Sequence, residues 1–154
     1  MAVEIERKFL VKNNDWKVGL QATVFKQAYL NSAADRTVRV RIAGDKAFLT
    51  IKSKTVGISR DEFEYEIPVN EAEELLNLCE TAALEKNRYF LNVGDLTWEI
   101  DEFLGVNAGL VIAEIELSEE QQTFEKPAWL GEEVSNDKRY FNSLLSIHPF
   151  SQWP

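Results

Sequence analysis

The sequence predicts a mainly β (α+β) fold in which eight antiparallel strands close into a barrel, with helices packed outside and a C-terminal helix near one end. Three observations support this prediction. Short runs of alternating apolar and charged residues are separated by turn signals, as in antiparallel barrels and sandwiches. Within nearly every run the charged residues share one face and one sign. Helical segments are fewer than strands.

Composition limits the class of protein. The chain has 154 residues, which suits a single domain spanning 1–154. Its formal net charge of −9 argues against a general nucleic-acid or anionic-membrane surface, so we expect neither partner. The one cysteine, Cys79, cannot form an internal disulfide. We see no signal peptide and no apolar run approaching the roughly 20 residues that span a bilayer, and we expect a cytoplasmic protein.

The predicted strands follow the period-two alternation. Gly44-Asp45 and Gly94-Asp95 each stand between two such runs, which is a good signal for a two-residue hairpin. Read in this way, the strands cover 3–11, 24–31, 36–43, 46–53, 61–69, 84–91, 95–103 and 110–117.

Three helices are predicted. The first covers 70–84, with Asn70 as its N-cap and acids in its first turn. The second covers 118–126, with Ser118 as its cap and Pro127 after its end. The third covers 136–147, and a shorter turn or helix is expected within 13–20.

Seven of the eight predicted strands carry two or three charged residues on one face. On any one strand this pattern is typical of the solvated face of a two-sheet sandwich, and that alternative stays open. Exposed faces usually mix Thr, Ser, Gln and Lys, however, so repeated sorting by sign favours a barrel with its charges inward. The same-face sets are Glu4, Glu6 and Lys8; Arg39 and Arg41; Lys52 and Lys54; Glu62, Glu64 and Glu66; Lys86 and Arg88; Glu99 and Asp101; Glu114 and Glu116.

A charged lumen of this kind indicates a ligand that needs both signs. An eight-stranded barrel is about wide enough for one small ligand. Glu and Asp clusters without matching His or Cys suit Mg²⁺ or Mn²⁺, whereas Arg and Lys suit phosphate oxygens. A chain of condensed phosphates that carries a divalent metal satisfies both sets.

An ordered series of motifs runs along the chain. It begins with Glu4-x-Glu6-x-Lys8 and continues through QAYL (27–30), TVRVR (37–41), LTIK (49–52), EFEYEI (62–67), EKNRY (85–89), EID (99–101), AEIEL (113–117) and GEEVSNDKRYFN (131–142). The opening motif alone is a weak signal, but the complete series resembles the CYTH superfamily, the triphosphate tunnel metalloenzymes. The length is similar to that of the short bacterial inorganic triphosphatases.

The resemblance implies roles for individual residues. Residues implied to grip phosphate oxygens are Lys8, Arg39, Arg41, Lys52, Lys86 and Arg88, with Tyr29, Lys138 and Arg139 at the tunnel ends. Residues implied to hold one or two Mg²⁺ or Mn²⁺ ions are Glu4, Glu6, Glu62, Glu64, Asp101, Glu114 and Glu116. The catalytic set within these is Glu4, Glu6, Lys8, Lys52 and Lys86. Glu66 and Lys54 also point inward by alternation but stand at strand ends, and Glu99 would support the metal site from outside.

The activity implied is metal-dependent hydrolysis of inorganic tripolyphosphate to pyrophosphate and phosphate. Alternatives within the family are a nucleoside or thiamine triphosphatase and a class IV adenylyl cyclase. A different class is a polyphosphate-binding module without turnover. The expected partner is a small-molecule triphosphate, and the expected assembly is a monomer or a homodimer.

Overall fold

The structure, a computed structural model, describes residues 3–154. Its main element is a closed barrel of eight antiparallel strands in the order β1-β5-β4-β3-β2-β6-β7-β8. β1 closes it, because Val3–Ile5 pair with β5 and Glu6–Leu10 pair with β8. The strands are β1 Val3–Val11, β2 Thr23–Asn31, β3 Arg36–Ala43, β4 Lys46–Ser53, β5 Ser59–Ile67, β6 Leu84–Val93, β7 Leu96–Phe103, β8 Val111–Glu116 and β9 Leu130–Glu133.

The predicted barrel is confirmed, and the solvated sandwich is excluded by its closure. Each of the eight expected strands is present within two residues of its predicted bounds. Both predicted hairpins are also present: Gly44 and Gly94 have φ of +61° and +63°, a conformation that favours glycine at the first position of a two-residue turn.

The sequence prediction missed the ninth strand. β9 has four residues and pairs with the last part of β1, where Phe9 pairs with Glu133 and Val11 with Leu130. It lies on the same edge of β1 as β5, which pairs with Val3–Ile5. A Cβ on Gly131 would lie 2.9 Å from the carbonyl oxygen of Leu10, so only glycine fits this approach. A run this short carries too little alternation to be recognised.

The predicted helix 70–84 is shorter than expected. α1 spans Val69–Leu76, its N-cap position is Pro68 rather than Asn70, and no side chain caps it. The chain after Leu76 leaves the helix to bind the end of β2. Tyr29 N donates to Thr81 Oγ1 at 2.9 Å, and Glu80 N donates to Tyr29 O at 3.0 Å. These tertiary hydrogen bonds replace the last helical turns.

The predicted helix 118–126 is wrong. Residues 118–121 form a turn, in which Ser118 N and Oγ both donate to Gln122 Oε1, and the chain is then irregular to Pro127. Leaving the turn lets Phe124 pack edge-on against Phe9 and Trp98. Apolar packing therefore outweighs the capping signal at Ser118.

The C-terminal segment is broken where one helix was expected. A 3₁₀ turn at Lys138–Tyr140 is followed by extended Phe141 and then by α2 at Asn142–Leu145. Further 3₁₀ turns lie at Asp15–Lys17, within the expected 13–20, and at Gly105–Asn107 and Phe150–Gln152. In the described chain, 3–154, the helices are all too short or too polar to cross a membrane.

The apolar core lies outside the barrel, as predicted. α1 covers one side, where Ala72 packs with Val40 and Ala47. An aromatic cluster covers another: Trp98, on the outer face of β7, meets Phe9, Phe124 and Trp129 at ring-centroid distances of 5.5–5.8 Å. Because alternate residues face opposite ways, burying Trp98 and Ile100 outward directs Glu99 and Asp101 inward.

Replacing Trp98 with Ala should lower the free energy of unfolding by about 3–5 kcal/mol, the range for emptying a buried aromatic site. Trp98 is fully buried at the centre of the aromatic cluster. Urea denaturation measures the loss. Val18→Ala is the control, because Val18 is 83% exposed and its truncation should change stability by less than about 0.5 kcal/mol. Equal stabilities would show that the cluster does not support the barrel.

Candidate active site

The barrel encloses a charged cavity of about 170 Å³. Its lining includes seven acids: Glu4, Glu6, Glu62, Glu64, Glu99, Glu114 and Glu116. It also includes seven bases: Lys8, Arg39, Arg41, Lys52, Arg60, Lys86 and Arg88. Tyr29, Thr37, Phe141, Asn142 and Ser143 complete it. The inward charged face predicted from alternation is therefore confirmed.

The two signs occupy different halves of the wall. All seven acids lie on the adjacent strands β7, β8, β1 and β5. Five of the seven bases lie on β4, β3 and β6, with β2 between the last two. The exceptions are Lys8 and Arg60, which stand among the acids. Strands that carry acids are therefore neighbours on one side of the barrel, and most strands that carry bases are grouped on the other side. The single cavity thus has an acidic half and a basic half.

The acidic half contains a carboxylate cluster. Oxygens of Glu6, Glu99 and Glu114 lie within 4.8 Å of one another. Burial, with Glu114 and Glu4 nearby, raises the pKa of Glu6 well above its usual range. Burial also opposes ionisation of Glu114, but Lys8 and Arg88 outweigh it and lower the pKa of Glu114. A cation at the cluster would offset the raised pKa of Glu6 and favour its ionised form.

The basic half lacks enough negative charge. Burial, with Arg88 and Arg41 nearby, lowers the pKa of Lys86 to about 7 despite Asp101. Burial, with Arg39 and Arg88, lowers the pKa of Arg41 to about 9. The buried Nε of Arg39 has no hydrogen-bond partner within 3–154. An anion in the cavity would stabilise the charged forms of Lys86 and Arg41 and would accept a hydrogen bond from Arg39 Nε.

Asp101 lies behind the basic half rather than in the cavity lining. It is fully buried, accepts hydrogen bonds from Arg88 Nε at 2.7 Å and Nη2 at 2.9 Å, and pairs with Lys86 Nζ at 2.7 Å. Both oxygens are therefore occupied by cations. The metal-ligand role predicted for Asp101 stays a prediction, and the structure separates this residue from the carboxylate cluster.

Glu4 joins the two halves at the β1–β5 seam. Its oxygens accept from Lys52 Nζ at 3.1 Å and from Arg60 Nε at 3.1 Å. Burial opposes ionisation of Glu4, but Lys52 and Arg60 outweigh it and lower its pKa. Lys52 also pairs with Glu62 at 3.3 Å. Glu4 is thus an anchored carboxylate, and its pKa is shifted in the opposite direction from that of Glu6.

The extended backbone at Phe141 carries the C-terminal segment across the lumen. The Phe141 ring lies 5.3 Å from Lys8 Nζ and 6.0 Å from the Arg60 guanidinium, at the β1–β5 side. Asn142 Oδ1 accepts from Lys86 Nζ at 2.9 Å and from Gln27 Nε2 at 3.3 Å, at the opposite β2–β6 side. The segment therefore covers one end of the cavity and orients Lys86.

Most of the site residues predicted from the sequence meet in this cavity. Three predicted site residues do not line the cavity: Asp101, described above, and the predicted substrate-binding residues Lys138 and Arg139. Arg139 is paired with Asp137 at 2.7 Å and stacks on Trp153, and Lys138 lines a smaller neighbouring pocket, because the segment forms a 3₁₀ turn instead of a continuous helix. Of the two strand-end residues, Glu66 is exposed and Lys54 lines the same neighbouring pocket.

The sequence prediction missed five lining residues, and it expected Glu99 to support the metal site from outside, whereas Glu99 lines the cavity and belongs to the carboxylate cluster. Arg60 has the same parity as Glu62, but the predicted strand began one residue too late to include it, and Thr37 has the parity of Arg39. Phe141, Asn142 and Ser143 had no local signal, because their place depends on the break in the C-terminal segment.

The donor set can hold a hard cation beside a polyanion. The carboxylate cluster offers oxygen ligands alone, which suit Mg²⁺ or Mn²⁺. The sequence has one histidine, His148, which is exposed, and Cys79 packs beside α1, so neither supplies a softer ligand here. The raised pKa of Glu6, caused by burial and by Glu114 and Glu4, shows that a bound cation would stabilise the acidic half. Its residues therefore fit a divalent metal ion.

Comparison with known proteins agrees with this geometry. The sequence model of the CYTH domain matches residues 2–144. An inorganic triphosphatase of Acetivibrio thermocellus is 49% identical over 154 residues, with 99% of each chain covered. An inorganic triphosphatase of Nitrosomonas europaea is 41% identical over 149 residues, covering 94% of this chain and 97% of the relative. A crystal structure of an inorganic triphosphatase superposes with a TM-score of 0.68 at 36% identity, covering 96% of both chains. The chain belongs to the CYTH domain family.

Proposed function

We propose that this protein hydrolyses inorganic tripolyphosphate to pyrophosphate and phosphate inside the barrel. One observation carries the proposal: carboxylates and most of the bases line opposite halves of one cavity, and burial beside like charges raises the pKa of Glu6 and lowers that of Lys86, so a condensed phosphate with its metal would stabilise both halves. The triphosphatases that share 49% and 41% identity with the chain support the same reaction.

The carboxylate cluster of Glu6, Glu99 and Glu114 is the proposed metal site, with Glu116, Glu62 and Glu64 beside it. We propose Mg²⁺ or Mn²⁺, one or two ions, because every available ligand is a carboxylate oxygen. When bound, such an ion neutralises phosphate charge and lowers the pKa of a water molecule.

The basic half binds and orients the substrate. The unpaired Nε of Arg39 and the poorly compensated Lys86 and Arg41 donate to phosphate oxygens. Asp101 and Asn142 hold Lys86 in place through hydrogen bonds at its ammonium group. In hydrolysis a bond forms between water oxygen and a terminal phosphorus, and the bond to the bridging oxygen breaks. That oxygen leaves with the electron pair on pyrophosphate, whose charge the basic half stabilises.

Phosphate release should be fastest with tripolyphosphate when the purified protein is incubated with tripolyphosphate, ATP or thiamine triphosphate in Mg²⁺ or Mn²⁺. Chelation with EDTA should abolish release, because the carboxylate cluster then has no cation. Phosphate assays and chromatography of the products measure the result. Cyclic AMP as the main product from ATP would indicate an adenylyl cyclase. Binding of tripolyphosphate without any phosphate release would indicate a binding module.

A further inference from the structure

A second pocket of about 80 Å³ adjoins the covered end of the cavity. This side pocket lies between the end of β4, the start of β3 and the C-terminal segment. Its lining includes the cations Lys54, Lys138 and Arg60, four hydroxyl residues, and the apolar surface of Phe141. In the part of the chain from 3 to 154, its lining contains no carboxylate, in contrast to the main cavity.

The cations of the side pocket have unused bonding capacity. Within residues 3–154, Lys54 and Lys138 form no ion pair, and both are exposed at the pocket. Arg60 binds Glu4 through Nε at 3.1 Å, which leaves its two terminal guanidinium nitrogens for another partner. A planar guanidinium with free donors, beside two ammonium groups, suits the oxygens of a phosphate group.

The side pocket and the main cavity share a wall. Thr37, Arg60, Phe141 and Ser143 line both, and the Phe141 ring stands between Lys8 in the cavity and the Arg60 guanidinium. A group bound in the side pocket would therefore lie close to the end of the substrate cavity while meeting none of its carboxylates.

We propose that the side pocket is a second anion subsite that binds a phosphate group through Arg60, Lys54 and Lys138. The group has two chemical sources: free inorganic phosphate, or the terminal phosphate of a condensed phosphate longer than three units. The second source rests on the proposed triphosphatase function, whereas the first does not.

The experiment uses a charge-reversed variant, Lys54→Glu with Lys138→Glu. The matched control is Lys46→Glu with Lys126→Glu, which makes the same change in net charge at exposed lysines that line neither pocket. Titration calorimetry of the metal-free protein with sodium phosphate should show a binding component in the wild type and the control. That component should be weakened at least about tenfold in the side-pocket variant, since two cations become anions.

Kinetics identify the source of the phosphate group. If a longer chain reaches the pocket, the ratio of kcat/KM for linear tetraphosphate to kcat/KM for tripolyphosphate should fall at least about tenfold in the side-pocket variant only. If that ratio is unchanged but calorimetry shows the loss, free phosphate is the ligand. Equal phosphate binding and equal ratios in both variants would overturn the subsite. A wild type that binds phosphate but hydrolyses nothing would contradict the triphosphatase function alone.

Discussion

Replacing Glu6 with Gln should lower kcat/KM for tripolyphosphate by about a hundredfold or more, the range for losing one preorganised electrostatic group, while leaving stability unchanged. The reason is that the fold does not stabilise the negative charge of Glu6. Burial, Glu114 and Glu4 raise the pKa of Glu6, so its ionised form is disfavoured in the fold, and Gln, a neutral group of the same shape, removes a charge that the fold does not stabilise. Only the metal-bound state needs the carboxylate. Steady-state kinetics at several Mg²⁺ concentrations and urea denaturation measure the two effects.

Glu66→Gln is the matched control for Glu6→Gln. Glu66 has the inward parity of Glu62 and Glu64, but it is exposed and does not line the cavity, so its replacement should leave kcat/KM within about twofold. Wild-type activity in Glu6→Gln, at any Mg²⁺ concentration, would remove Glu6 from the metal site. A large loss of stability would show that Glu6 is ionised and paired in the ligand-free protein.

The sequence allowed the barrel and the two charged sets to be predicted because strand alternation is a local property. Alternate residues of a strand face opposite ways, so outward-facing Trp98 and Ile100 require Glu99 to face inward. This holds independently of which residues lie on the other side of the lumen. Burial of the outer residues against helices and loops then holds the charged faces in the lumen. Local pattern and tertiary packing agree on these strands, and their bounds are correct within two residues.

The remaining features depend on contacts distant in sequence. Ser118 predicts a helix, but Phe124 packs against Phe9, a residue from the opposite end of the chain, and the helix does not form. Asn142 reaches Lys86 only because the backbone is extended at Phe141. Asp101 shares the parity of Glu99, yet its position behind two cations follows from Lys86 and Arg88 on the neighbouring strand. Parity gives the face of a residue but not its partner.

The buried charges indicate that this barrel gives up stability for binding. Desolvated ions cost several kcal/mol each unless they are well paired. Glu4 with Lys52, and Asp101 with Arg88, are paired at 3.1 Å or closer. The pKa values of Glu6 and Lys86 are instead displaced toward the neutral forms, in Lys86 despite its 2.7 Å ion pair with Asp101. The unfavourable part of the electrostatics is therefore located at the two groups that a metal and a polyanion would contact.

Replacing Lys86 with Gln should lower kcat/KM for tripolyphosphate by about a hundredfold or more, because it removes a buried cation next to the substrate. Replacing it with Arg should have a different effect, visible in the pH dependence of binding. The pKa of Lys86 is about 7 in the ligand-free protein, and a bound polyanion raises it. Binding above pH 7 therefore requires uptake of a proton, and affinity should fall about tenfold per pH unit.

The test compares wild type with Lys86→Arg between pH 7 and 8.5, by titration calorimetry with tripolyphosphate in EDTA so that turnover does not interfere. Arg stays protonated throughout this range, so the variant should lose the Lys86 part of the slope. Ionisation of tripolyphosphate affects both proteins equally and cancels in the ratio of their affinities. A constant ratio would mean that Lys86 is already fully charged at pH 8.5, and hence that Asp101 compensates its burial completely. In that case the attraction for the anion would have to come from Arg39 and Arg41, since these bases lack a paired carboxylate as close as the one Asp101 gives Lys86.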